Sequence, residues 1–260
     1  MNEQIGAGEV PARASPRRPR VALCIPAYDG WRAEMGFDAL RLAIHSAPLV
    51  DLTVAFTRGQ DTSEARNYLV DQILHRDGAE AVDAILWIDA DMMFPPDALI
   101  RLLLHRVPIV GADYRLRGQP FPRLGMRVDP DNPFGKYKFP SADDPKTGLD
   151  DAMAVLGFGL LLTRMRVYQH PEWQRPWFMR TWNPQARRVD NPTGFSTEDT
   201  NFCTMARLCG FKVCCDLDLS AEVSHIGQMT IPWNLGKTHE GRRDTETAEL
   251  PGAGSGDPPA

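Results

Sequence analysis

No stretch narrows what this chain can fold into more than Ala84-Ile85-Leu86-Trp87-Ile88-Asp89-Ala90-Asp91-Met92-Met93-Phe94-Pro95-Pro96-Asp97. Ala84 to Ile88 is apolar without one-sided alternation, the pattern of a strand buried on both faces of a parallel sheet. Where the apolar run stops, two carboxylates stand at i and i+2, and on extended chain such a pair points the same way. Pro95-Pro96-Asp97 then opens a helix expected over Ala98 to His105. A buried strand followed by a short turn and a helix is the unit of an open α/β sheet, whose ligands bind beyond the carboxyl ends of the strands.

The Asp-x-Asp spelling alone carries little, because it occurs three times, at Asp89/Asp91, Asp129/Asp131 and Asp216/Asp218. Context separates them. Asp129/Asp131 lies in a Pro-rich loop with no strand behind it, and Asp216/Asp218 follows the apolar run Phe211 to Cys215 with no helix start expected after it. Only Asp89/Asp91 has strand, turn and helix in order, which suits a divalent cation held against a phosphate. A helix-capping turn is the plainer explanation of the same acids.

The rest of the chain repeats the α/β pattern. Val21 to Ile25 reads as a first strand, ended by Pro26-Ala27-Tyr28-Asp29-Gly30, and a helix is expected over Gly36 to Ser46 with Leu40, Ala43 and Ile44 on one face. Leu52 to Phe56 is the second strand. Ser63 to His75 is a helix capped by Asp61 or Thr62, with Arg66 and Asn67 in its first turns. Pro108 to Ala112 is a fourth strand, so β-α-β-α-β-α-β implies a mostly parallel central sheet with helices on its faces. From Asp113 to Asp151 the pattern gives way to Pro, Gly, Asp and Lys with scattered aromatics such as Tyr114, which reads as a functional loop. Val155 to Thr163 returns as a strand, and Gly157 and Gly159 in it mark a close backbone approach or a bulge. Trp173, Trp177 and Trp182 follow, either as core or as a platform for a flat ligand. Ser196-Thr197-Glu198-Asp199 resembles a capping box before a helix that Gly210 stops.

With 260 residues and 43% hydrophobic content the chain can bury a sizeable core, and one large α/β domain is expected over 21–236. Its halves would be 21–112 and 113–236. Disordered tails are expected at 1–20, with Arg13, Arg17, Arg18 and Arg20, and at 237–260. A net charge of −5 argues against binding nucleic acid by bulk charge. Five irregularly spaced cysteines fit reduced thiols better than a disulfide scaffold. No window reaches the ~18 apolar residues of a membrane span, and no apolar leader opens the chain; the expectation is a cytoplasmic protein without a transmembrane segment.

The succession Ile25-Pro26-Ala27-Tyr28, Ala65-Arg66-Asn67, Asp89-Ala90-Asp91, Gly157-Phe158-Gly159, Glu198-Asp199 before a helix, and His225 resembles the family-two glycosyltransferases of GT-A fold, over about residues 21–230. The short single-domain build is similar to soluble bacterial and phage members. The resemblance implies a single-sugar transferase, hexosyl or N-acetylhexosaminyl, using a nucleotide-sugar donor, a UDP-sugar above all. Its implied metal ligands are Asp91 and His225, holding Mn²⁺ or Mg²⁺, with Asp89 on the ribose or a metal-bound water. Asp199 would be the base of an inverting reaction and Glu198 would orient the acceptor. Pro26, Tyr28, Asp29, Arg66 and Gly157 would lie on the donor. Thr57-Arg58-Gly59-Gln60 replaces the family's usual acidic turn after the second strand, a departure at the nucleobase end.

Each of these residues also has a bland explanation: His225 as a satisfied histidine, and Glu198 and Asp199 as helix-capping acids. Two further functions compete. A nucleotide-sugar-binding GT-A module would bind without turnover. A sugar nucleotidyltransferase would usually carry a Gly-rich basic loop after its first strand, which Pro26-Ala27-Tyr28-Asp29 is not. A dehydrogenase is not expected, since no Gly-x-Gly-x-x-Gly follows any strand. The hydroxyl acceptor, whether saccharide, protein, lipid or modified nucleobase, is not legible.

Overall fold

All five residues of Ala84–Ile88 are buried, as their unbroken apolar character requires. The computed structural model describes residues 17–76, 81–117, 121–128, 137–182 and 195–227. In chain order these form β1 (Arg20–Ala27), α1 (Ala33–Ser46), β2 (Asp51–Arg58), α2 (Thr62–Leu74), β3 (Ala84–Ile88), β4 (Met92–Met93), α3 (Ala98–Leu104), β5 (Ile109–Gly111), β6 (Met126–Val128) and β7 (Tyr137–Lys138). They continue as β8 (Leu149–Val155), β9 (Leu160–Arg164), α4 (Met165–Tyr168), β10 (Thr181–Trp182), β11 (Phe195–Ser196), α5 (Glu198–Leu208), β12 (Val213–Asp216), α6 (Leu217–Ser220) and β13 (Ser224–His225).

The large sheet runs β2-β1-β3-β9-β5-β12-β8-β6-β7. β1 pairs in parallel with β2 and β3, and β12 with β5. β9 enters antiparallel between β3 and β5, so the sheet is mixed and the third and fourth strands of the sequence reading are not neighbours. Apolar runs give a strand its burial but not its partner, which is why that insertion left no trace in periodicity. Alternate residues split the core into two layers: Ala22, Cys24, Ile85 and Trp87 face one side, and Val21, Leu23, Ile25, Leu86 and Ile88 the other.

Several sequence expectations shift. α1 starts at Ala33 and buries Met35, Ala39 and Leu42, while Leu40 and Ile44 are exposed. This helix is apolar on two faces, and the face that includes Met35 wins because it reaches the sheet. Gly157-Phe158-Gly159 is the connection between β8 and β9 instead of the middle of one strand. The stretch 113–151 contributes β6, β7 and the start of β8, segments mostly too short for alternation to register. Asp216 does open a helix: it caps α6, accepting a hydrogen bond from the Leu219 N–H at 2.8 Å. Asp129 and Asp131 lie outside the described residues.

Trp173 and Trp177 are core residues, whereas Trp182 is 60% exposed. Arg17 pairs with Asp83 at 2.7 Å and Arg20 begins β1, so that end of the expected basic tail belongs to the fold. Residues 1–16, with Arg13, and the tail expected at 237–260 lie outside the described residues. No helix among the described residues is long and apolar enough to cross a membrane.

Candidate active site

At the carboxyl ends of β1 and β3 lies a cleft of about 700 Å³, lined by Pro26, Tyr28, Asp29, Arg66, Asp89, Asp91, Glu198, Asp199 and His225 among others. Its volume is that of a site for a ligand of nucleotide size. Backbone hydrogen bonds fix the acidic turn on its floor. The Asp89 N–H donates to the Gly159 carbonyl at 3.1 Å, the Ala90 carbonyl accepts from the Arg32 N–H at 3.0 Å, and the Asp91 carbonyl accepts from the Ile226 N–H at 2.7 Å. Directly after this turn β4 pairs antiparallel with β13, setting His225 opposite Met92. Two residues more than 130 positions apart in the chain are thereby brought together, with His225 Nε2 3.5 Å from Asp91 Oδ1.

Hydrogen bonding orients this imidazole. His225 Nδ1 lies 3.1 Å from the Arg115 carbonyl, which can only accept, so Nδ1 carries a hydrogen. In the neutral ring Nε2 then presents its lone pair to a carboxylate oxygen, and what reconciles two such acceptors is a proton or a cation between them. Two ligands of one ion at about 2.1 Å, in cis or tetrahedral array, are roughly 3.0–3.5 Å apart, so the pair fits a shared divalent cation. Among the described residues no group of three His, Cys, Asp or Glu side chains could hold a metal ion. Further ligands would have to come from a substrate or water, as in open catalytic sites. Partial burial would raise the Asp91 carboxyl, but with a proton in place between the pair the His225 imidazolium, by hydrogen bond and charge, and then Arg117 hold it below the usual carboxylate value.

The opposite wall is built on one arginine. Arg66, in the second turn of α2, is 1% exposed, and its guanidinium Cζ lies 4.8 Å from the Phe158 ring centroid. Nη1 donates to Asp199 at 2.5 Å and to Glu198 at 3.1 Å, and Nη2 to Asp89 at 3.0 Å. Burial works against this charge, yet the carboxylates, Asp199 foremost, raise the arginine above its usual range. Three carboxylates around one cation leave the cluster net negative if all are ionised. The Asp199 carboxyl is accordingly pushed up to about 7, chiefly by burial, with Arg66 opposing and Glu198 and Asp89 adding to the shift. Arg66 thus faces the acids and holds them in place within the cleft wall.

Thr197 caps α5, its hydroxyl accepting from the Thr200 N–H at 3.3 Å, which leaves Glu198 and Asp199 in the first turn free for Arg66. Asn67, beside Arg66, accepts from the N–H groups of Trp177 and Phe178 and donates to the Phe178 carbonyl, pinning the aromatic segment against α2. Ala65 is buried as well. Each member of Ala65-Arg66-Asn67 therefore has a separate contact to make.

Gly157 alone among the expected site residues does not line the cleft. A Cβ there would lie 2.3 Å from the Tyr114 hydroxyl, and one on Gly159 2.7 Å from the same ring. Both glycines make room for Tyr114, whose hydroxyl accepts from the Gly159 N–H at 3.1 Å while its ring meets His225 edge-on at 5.3 Å. Burial, with Asp89 and Asp199 nearby, raises the Tyr114 phenol well above its usual value. Sequence reasoning noted a close approach at these glycines without finding its partner. It also missed Arg117, whose Nη1 pairs with Asp91 Oδ2 at 2.9 Å, and Trp31 and Arg32 at the lip. No periodic pattern marks residues in such loops. Comparison of the chain with protein-family models gives no match, and comparison with curated proteins gives none.

Proposed function

We propose that this protein is a metal-dependent glycosyltransferase of GT-A type, transferring one sugar from a nucleotide-sugar, with a UDP-sugar as the expected donor, to a hydroxyl acceptor. One observation carries the reading: Asp91 and His225 face each other at 3.5 Å in a cleft that also contains an acid pushed up to about 7, Asp199. A divalent cation bound by Asp91 and His225 would offset the charge that develops on a diphosphate leaving group. Pro26, Tyr28 and Asp29 at the end of β1 would receive the nucleoside, with Asp89 at the ribose.

Asp199 would take the proton of the acceptor hydroxyl as its oxygen bonds to the anomeric carbon. The bond from that carbon to the phosphate oxygen breaks, and its electron pair leaves with the nucleoside diphosphate. Glu198 would hold the acceptor. Arg66 would fix the rotamers of both acids, since a base must be positioned before its pKa matters. Attack from the Asp199 side inverts the anomeric centre.

A donor screen read by nucleoside diphosphate release with Mn²⁺ tests the reading. Wild type should turn over at least one donor, Asp91→Ala should lose cation-dependent turnover, and Asp199→Asn should lose turnover while still binding UDP. Full activity in either variant refutes the role given to that residue.

A further inference from the structure

Arg117 is absorbed by none of these roles. Its guanidinium pairs with Asp91 Oδ2 at 2.9 Å, on the carboxylate whose Oδ1 faces His225, and the side chain is 54% exposed. The residues just before it are tied down: Arg115 forms an isolated antiparallel bridge with Arg123, Leu116 N–H donates to the Pro122 carbonyl and Leu124 N–H to the Tyr114 carbonyl. Its stem crosses Gly227, where a Cβ would stand 3.3 Å from Arg117 Cγ. With the preceding residues tied and its own head exposed, the guanidinium can change partners by side-chain rotation.

A guanidinium and a divalent cation on one carboxylate repel each other, so the two compete for Asp91. A diphosphate arriving with the cation offers Arg117 a stronger, bidentate partner a short swing away. Resting on the donor reading above, we propose that Arg117 is an exchangeable counter-ion of Asp91: it yields the carboxylate to the cation and moves to the diphosphate. Cation and nucleoside diphosphate then bind cooperatively, each raising the affinity of the other by the same factor.

The test is titration calorimetry on full-length protein with Mn²⁺ alone, and with UDP at saturating Mn²⁺, for wild type, Arg117→Ala and, as a charge control, Lys212→Ala; circular dichroism checks folding. Arg117→Ala should bind Mn²⁺ alone about 2- to 5-fold tighter, the range for a half-exposed ion pair. It should bind UDP about 10- to 150-fold more weakly, as the loss of one charge-assisted contact implies. These shifts of opposite sign are the signature, and Lys212→Ala should show neither. Both affinities moving in one direction, or neither moving, overturns the exchange while leaving the donor reading intact. Wild type that binds neither Mn²⁺ nor UDP overturns both.

Discussion

Arg66→Met removes the cation of the carboxylate cluster while keeping much of the side chain's length. Breaking a buried ion pair by deleting one partner costs about 3–5 kcal/mol. The carboxylate side chains are 15–27% exposed, so water relieves part of the penalty and the low end, about 3 kcal/mol, applies. For a protein of this size that corresponds to a fall in Tm of roughly 6–12 °C. The sign of the pH dependence is also fixed. Burial already raises the Asp199 carboxyl and Arg66 opposes that rise, so without Arg66 it lies further above its unfolded value; the folded state binds more protons and stability is lost as pH increases through the raised value. Thermal melts by circular dichroism from about pH 5 to pH 8 should show the largest deficit at pH 8, shrinking on acidification. A Tm within about 2 °C of wild type at pH 8, or a deficit that grows as pH falls, would refute the claim that Arg66 holds the acids together.

Two further perturbations probe the same site. Because Asp199 is pushed up to about 7 and must be ionised to accept a proton, turnover should rise with pH and level off above about 7, and Asp199→Asn should lie about 10²- to 10⁴-fold lower. A wild-type rate that stays flat across that range removes Asp199 as the base. Gly157→Ala places a methyl 2.3 Å from the Tyr114 hydroxyl and should cost about 1–3 kcal/mol in chemical denaturation, less in a Tyr114→Ala background. An additive double mutant would show that the glycine serves something other than Tyr114.

The elements that were legible from sequence are those with long or well-punctuated patterns. β3 was legible because five consecutive apolar residues leave few alternatives, and α2 because Asp61 caps it, accepting from the Ser63 N–H at 2.9 Å, ahead of a four-residue apolar spacing. Within the site, Asp91 could be picked out because it stands just after an apolar strand, and Glu198 and Asp199 because they stand at a helix start, whereas His225, at the end of the two-residue β13, was marked only by the family resemblance. What escaped was pairing. Nothing in the spelling of β9 says that it runs antiparallel between β3 and β5, and nothing in Leu40 or Ile44 says that Met35 takes the core side of α1. The carboxylate partners of Arg66 were not legible either: Asp89 just after β3 and Glu198 and Asp199 of α5 lie 23 to 133 positions away in the chain. Tyr114 was hidden because its only trace was the absence of side chains at Gly157 and Gly159.

Crystals soaked with Mn²⁺ and UDP and measured at the manganese absorption edge would test most directly whether the carboxylate after β3 and the imidazole of β13 grip one ion. An anomalous peak about 2.0–2.3 Å from both Asp91 and His225, in contact with diphosphate oxygens, is the result expected here. Nucleotide bound with no peak between these side chains, or a peak held by other residues, would contradict it.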